Sequence, residues 1–83
     1  MMRATIARPF YDWDGRKYME LRMDDTGNVI RTKVPWRYKR VMCHVEGIRP
    51  IQEFVSGESV DILLDKKVWN GETFWVLVSI RPV

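Results

Sequence analysis

Three short turn signals divide most of this chain into brief alternating runs, and their spacing constrains the fold more than any other feature. They are Asp14-Gly15, Thr26-Gly27-Asn28 and Asn70-Gly71. Asp-Gly and Asn-Gly pairs readily adopt the positive φ values that a two-residue hairpin loop requires. Runs that alternate apolar and polar residues between such turns are typical of β-strands with one buried face. The pattern predicts a meander of short strands.

A chain of 83 residues has material for one small core. We therefore predict a single domain spanning residues 1–83. We expect it to be mainly β, a five- to six-stranded antiparallel barrel with at most one short helix within residues 36–55. The run from 36 to 46 fits a strand, which would give a six-stranded SH3-like barrel. It also fits a helix, which would give a five-stranded oligonucleotide-binding (OB-like) barrel.

The first two turns predict which side chains share a face. A two-residue loop at Asp14-Gly15 pairs tyrosine with tyrosine and places a tryptophan beside an arginine on one outer face. Pairing through Thr26-Gly27 adds two basic residues of the third strand to that face. The predicted pairs are Trp13 with Arg16, Tyr11 with Tyr18, Ile6 with Met23, Ala7 with Arg22, Arg31 with Arg22, and Lys33 with Glu20.

The third turn fits best as a three-residue loop, Trp69-Asn70-Gly71, with a bulge at the glycine. This register places the apolar residues of the last two strands opposite one another, whereas a two-residue loop divides them between faces. The predicted pairs are Ile80 with Val60, Val78 with Ile62, Val76 with Leu64, and Phe74 with Lys66. The reverse face then carries Trp75, Leu63 and Leu77.

Positive charge is concentrated in one window of the chain. The net charge is +3, yet residues 31–40 alone carry five basic residues and no acidic one. Within this window two aromatic rings alternate with three basic residues. Basic residues that follow phosphates, together with rings on which bases stack, are typical of single-strand nucleic-acid binding. The predicted binding residues are Tyr11, Trp13, Arg16, Tyr18, Arg22, Arg31, Lys33, Trp36, Arg37, Tyr38, Lys39 and Arg40.

Residues that could support catalysis or metal binding are few. Cys43 and His44 are neighbours whose side chains diverge in a strand or a helix, so they cannot form a catalytic pair with each other. One cysteine and one histidine also fall short of a zinc site, and Asp12 and Asp14 fit ordinary turn chemistry. We expect no enzyme activity, no metal and no cofactor.

Features that direct a protein to a membrane or out of the cell are lacking in the sequence. It has no apolar run near the roughly 20 residues that span a bilayer and no signal-peptide pattern. A single cysteine fits a reducing compartment. We expect a cytoplasmic protein without membrane contact.

The order of elements is a strand and loop (Ile6 to Gly15), two aromatic-basic strands (Arg16 to Val34), an intervening segment and a closing hairpin (Val60 to Ile80). It resembles that of small oligonucleotide-binding barrels, among them the short single-strand DNA-binding proteins of filamentous phages. The resemblance implies a five-stranded barrel that is often dimeric and binds single strands across its middle strands.

Two functions follow as expectations. The first is non-enzymatic binding of single-stranded DNA or RNA by a compact barrel of the kind common in phages and mobile elements, alone or as a homodimer. The second is a protein-interaction module, such as an inhibitor or assembly factor, that uses the same surface or the face of Trp75, Leu63 and Leu77.

Overall fold

Five β-strands form a closed barrel in the computed structural model, which describes residues 2–35 and 50–83. The strands are β1 (Met2–Trp13), β2 (Arg16–Met23), β3 (Val29–Lys33), β4 (Ser59–Trp69) and β5 (Glu72–Pro82). One turn of 3-10 helix at Ile51–Glu53 precedes β4 and falls within the window predicted for a short helix. The prediction of a small, mainly β barrel is confirmed. The choice between strand and helix for residues 36–46 lies outside the described residues.

The strand order is β1-β2-β3-β5-β4, and β4 returns to pair with β1. Neighbouring strands are antiparallel except β3 and β5, which run parallel at Thr32–Trp75 and Lys33–Val76. The predicted antiparallel arrangement therefore needs one correction. Closure of the barrel pairs strands that are distant in the chain. No turn connects β3 to β5 directly, so the turns do not determine that these two strands run parallel.

The first turn has the predicted geometry. Asp14 and Gly15 both have positive φ, 56° and 75°, as a two-residue type I′ loop requires. The Asp12 side chain supports the turn by accepting a hydrogen bond from the Gly15 amide at 3.1 Å. Trp13 therefore pairs with Arg16, and two positions earlier Tyr11 pairs with Tyr18, as predicted.

Farther from this turn the predicted register is wrong, because β1 contains two irregularities. They lie between Ile6 and Arg8 and between Arg8 and Tyr11. Pro9 lies within the second and has no amide proton to donate to a neighbouring strand. The observed pairs are Ile6 with Leu21, Thr5 with Arg22 and Arg8 with Glu20, instead of the predicted Ile6 with Met23 and Ala7 with Arg22.

The register between β2 and β3 also differs from the prediction, by two residues. The Met23 amide donates to the Asn28 carbonyl at 2.8 Å, so the loop holds residues 24–27 and is longer than predicted. A shift of two keeps every side chain on its predicted face. The observed pairs place Arg31 opposite Glu20 and Lys33 opposite Tyr18, not opposite Arg22 and Glu20.

The predicted three-residue loop between β4 and β5 is wrong. Asn70 and Gly71 have φ of 51° and 76°, and Trp69 pairs directly with Glu72, which defines a two-residue loop. The register changes by one residue within the strands instead, at a bulge between Leu63 and Leu64. The observed pairs are Lys67 with Phe74, Asp65 with Val76, Leu64 with Leu77, Leu63 with Ser79 and Ile62 with Ile80.

The bulge brings the apolar residues of both strands onto the inner face. Val78 is the additional β5 residue between the Leu64–Leu77 and Leu63–Ser79 pairs, so Leu77 and Ile80 both point into the barrel and are buried. Leu63 lies on the outside and is exposed. The predicted shared face of Trp75, Leu63 and Leu77 therefore does not exist.

The core fills the barrel with residues of β1, β2, β4 and β5, with Val34 directly after β3, and with residues of the 3-10 turn and its end. Burial of this apolar surface is the main stabilising contribution to the fold. Its members are Ala4, Ile6, Met19, Leu21, Met23, Val34, Ile51, Phe54, Val60, Ile62, Leu77 and Ile80. In the part of the chain that the structure describes, helices are all too short to cross a membrane.

Candidate functional site

The outer face of β1, β2 and β3 gathers most of the aromatic and basic residues singled out in the sequence. Because Met19 and Leu21 point into the barrel, the alternate residues of β2 point outward. Strand pairing then aligns Tyr11, Tyr18 and Lys33 in one row across three strands. We call this face the aromatic-basic surface. It comprises Tyr11, Trp13, Arg16, Tyr18, Arg22, Arg31 and Lys33.

Three rings form a cluster at the centre of this surface. The centroid of Tyr18 lies 5.8 Å from that of Tyr11 and 6.3 Å from that of Trp13, with the ring planes tilted against each other. Tyr18 is only 5% exposed, whereas Trp13 is 59% exposed. Trp13 therefore presents a ring to solvent, and Tyr18 forms the buried base of the cluster. A base could stack on Trp13 but has no access to Tyr18.

Arg31 covers the ring cluster from β3. Its guanidinium carbon lies 4.7 Å from the Tyr18 ring centroid and 5.4 Å from that of Trp13. These distances fit cation–π attraction, which holds the guanidinium over the rings while leaving its donors free for a ligand. Arg31 is exposed, so it can contact a phosphate directly.

Arg8 borders this surface, although the sequence pattern did not select it. A regular β1 would place Arg8 opposite Leu21, but the bulges turn it outward to pair with Glu20. Its guanidinium carbon lies 3.7 Å from the ring centroid of Tyr11, and its Nη1 lies 3.8 Å from Glu20 Oε2. Pro9 is the only local signal that could have indicated this change.

A hydrogen bond fixes Tyr11 at the edge of the cluster. Its hydroxyl donates to Glu20 Oε2 at 2.9 Å. Burial of the ring, followed by the hydrogen bond and negative charge of Glu20, raises the pKa of Tyr11 above the ordinary tyrosine value. Tyr11 therefore remains neutral at physiological pH, and its polar end is already satisfied by protein.

Positive charge on the surface is largely uncompensated. Within residues 2–35 and 50–83, no carboxylate forms an ion pair with Arg16, Arg22, Arg31 or Lys33. These four basic residues are spread over β2 and β3 rather than gathered at one point. A ligand with a row of negative charges fits this distribution better than a single small anion.

Phe74 extends the surface onto β5. Lys33 Nζ lies 4.0 Å from the centroid of its ring, because β3 and β5 run side by side at this level. The sequence prediction placed Phe74 opposite Lys66 in the hairpin, but it pairs with Lys67. The contact with Lys33 depends on the parallel pairing of β3 and β5, which has no signal near Phe74 in the sequence.

A groove of about 420 Å³ adjoins the aromatic-basic surface at the end of the barrel that carries the β1–β2 turn. Arg16 and Lys33 belong to both the surface and the groove. The groove is lined by Gly15, Arg16, Lys17, Lys33, Val34, Pro35 and Val76.

The remaining predicted binding residues lie outside the described residues. These are Trp36, Arg37, Tyr38, Lys39 and Arg40. The same holds for Cys43 and His44. In the described ranges no three histidine, cysteine or acidic side chains come together in a group that could hold a metal ion.

Comparison with models of known protein families, with curated proteins and with solved structures finds no match to this chain.

Proposed function

We propose that the aromatic-basic surface binds single-stranded nucleic acid, DNA or RNA, without catalysing a reaction on it. The observation that carries this proposal is the pairing of an exposed ring with a cation that forms no ion pair within residues 2–35 and 50–83. Trp13 is 59% exposed, and the guanidinium carbon of Arg31 lies 5.4 Å from its ring centroid. This pair offers a base a ring to stack on and offers the adjoining phosphate a charged donor.

The spread of charge supports a polymeric ligand. Arg16 and Arg22 lie six positions apart on β2, which corresponds to about 20 Å along an extended strand. Arg31 and Lys33 run beside them on β3. A nucleic-acid strand places a phosphate at each nucleotide and can contact such a series, whereas one isolated phosphate group cannot.

Exposure of a ring face supports a single strand over a duplex. Bases of a duplex are already stacked on each other, so their faces are closed to Trp13. Bases of a single strand are open to stacking on aromatic side chains, and each such stack is worth roughly 1–3 kcal/mol. The five-stranded barrel also supports the proposal, since oligonucleotide-binding barrels use the face of their second and third strands for this purpose.

Substitutions of Trp13 test the proposal. The affinity of each variant for a fluorescently labelled oligothymidine is measured by fluorescence anisotropy. Trp13→Ala should weaken binding about 5- to 150-fold, the equivalent of one lost stack. Trp13→Phe retains a ring and should recover most of this loss. Equal affinities of the wild type and both variants would count against stacking on Trp13.

A matched pair of arginine substitutions tests the role of charge. Arg31→Gln and Arg81→Gln each remove one positive charge from an exposed strand residue. Arg81 lies 3.9 Å from Asp61 in a separate ion-pair cluster, so it serves as the control. We expect Arg31→Gln to lower the affinity for the oligonucleotide and Arg81→Gln to leave it unchanged. Equal losses in the two variants would mean that binding depends only on the net charge of the protein.

Contact with another protein, including a second copy of this chain, is the second candidate function. It is favoured by Val68 and Trp69 at the tip of the β4–β5 hairpin, which are 70% and 69% exposed. Sedimentation over a concentration range tests self-association. A dimer disrupted by Trp69→Ala would favour this function, and a monomer at every concentration would exclude self-association.

A further inference from the structure

The groove beside the aromatic-basic surface has a composition of its own. Its side chains are of two kinds, three basic residues from β2 and β3 and an apolar set formed by Val34, Pro35 and Val76. Its volume of about 420 Å³ lies within the usual range for small-ligand sites, about 300–1,000 Å³. The combination suits a ligand with one apolar or ring-bearing part and one strongly anionic part.

The charge of the groove distinguishes between kinds of phosphate. Lys17 forms an ion pair with Asp12, whereas Arg16 and Lys33 have no carboxylate partner among the residues described. The groove therefore holds two positive charges without an ion pair among the described residues, and Asp14 of the β1–β2 turn brings one further carboxylate to this end of the barrel. A phosphodiester inside a strand carries one negative charge, but a phosphate monoester carries about −1.5 to −2 at pH 7. The monoester matches the groove.

The groove also lies at one end of the aromatic-basic surface. Arg16 pairs with Trp13 and Lys33 pairs with Tyr18, so the basic residues of the groove continue directly from the ring cluster. The β1–β2 turn at Gly15 forms its boundary on the other side. A strand that follows the basic residues along β2 and β3 reaches the groove at this end of the surface.

We propose that the groove binds the terminal phosphate monoester of a single strand, with the end nucleotide against Pro35 and Val76. Arg16 and Lys33 donate to the phosphate oxygens. The proposal rests on the function proposed above, because the strand is assumed to lie along the aromatic-basic surface. It adds a preference for strand ends that bear a phosphate.

Three oligothymidines of equal length test this proposal by competition binding at moderate salt. One carries a 5′-phosphate, one a 3′-phosphate, and one has hydroxyl groups at both ends. We expect one of the phosphorylated forms, or both, to bind about tenfold more tightly than the hydroxyl form, because only a terminal phosphate can accept the charge-assisted hydrogen bonds of the groove. The separate 5′ and 3′ forms identify which end enters the groove.

Two arginine variants separate a site from a general charge effect. Arg16→Gln should abolish the gain from the terminal phosphate, while Arg22→Gln, about 20 Å away on the same strand, should retain it. Thermal unfolding of both variants confirms that they are folded. Equal binding of all three oligonucleotides to the wild type, or a gain that survives Arg16→Gln, would overturn the terminal-phosphate site and leave strand binding intact. If none of the three oligonucleotides bound to the wild type, both proposals would be overturned.

Discussion

Tyr18 lies on the outer face of the barrel and yet is almost fully buried. Its neighbours account for this. Tyr11 and Trp13 flank it within 6.3 Å, and the guanidinium of Arg31 lies over it. The sequence predicted Tyr18 to stack on bases, but in this position it supports the side chains that reach solvent. Alternation along β2 predicts which face Tyr18 occupies. Its burial depends on two rings of β1 and on the guanidinium of Arg31 in β3.

Replacing Tyr18 should therefore affect stability more than direct ligand contact. We expect Tyr18→Ala to lower the free energy of unfolding by about 3 kcal/mol, because a large buried ring is lost and leaves a cavity. Tyr18→Phe should stay close to the wild type. Urea denaturation measures both values. A loss below about 1 kcal/mol for Tyr18→Ala would mean that the ring is not packed as described.

Asp61 makes the stability of the fold depend on pH. The Nε of Arg3 donates to its Oδ1 at 2.9 Å, and Arg81 lies nearby. This hydrogen bond and these charges lower the pKa of Asp61 below the ordinary aspartate value of 3.8. A lowered pKa in the folded state adds stability above the unfolded pKa, and this stability is lost as the pH falls through the folded pKa.

We accordingly expect Asp61→Asn to be less stable than the wild type at neutral pH. The difference should begin to shrink below about pH 4, where the carboxyl of the unfolded chain takes up a proton. It should disappear once the pH has fallen through the lower pKa of the folded carboxyl. Thermal unfolding from pH 7 to pH 2 measures this convergence. A difference that stays constant over the whole range would show that Asp61 contributes through packing rather than charge.

At the scale of elements, the tight turns determine pairing only over a short distance. Asp14-Gly15 and Asn70-Gly71 form two-residue loops with positive φ, as their residue types favour. Pairing then follows the turn as far as Tyr11 in β1 and Leu77 in β5. Beyond these points bulges change the register. Pro9 is a local signal for the first, but nothing in the residue type of Val78 marks the second, which is required by packing across the barrel.

The β5 bulge leads to a prediction about deletions. Removing Val78 would leave Leu77, Ser79 and Ile80 in regular alternation, with their present partners on β4 unchanged. We expect this deletion variant to fold and to unfold cooperatively. Removing Leu63 from β4 would instead turn either Ile62 or Leu64 outward, and we expect that variant to lose its cooperative transition. Far-UV circular dichroism during heating distinguishes them. Equal loss of structure in both would contradict the assigned bulge.

On the scale of the whole molecule, barrel closure gives the aromatic-basic surface its final form. The parallel pairing of β3 with β5 brings Phe74 beside Lys33 and adds Val76 to the groove. The sequence predicts the barrel class because its turns and alternation are local properties. It does not predict these contacts, because they join residues about 40 positions apart and depend on how the barrel closes.

The proposed function claims that this barrel binds single strands through both stacking and phosphate contacts. Titration of the wild-type protein with oligothymidine over a salt series, with tryptophan emission as the signal, tests it most directly. We predict quenched emission on binding and an affinity that falls steeply with salt, with a slope of about −0.7 in log K against log salt for each phosphate contact. Absence of binding at the lowest salt concentration would contradict the claim.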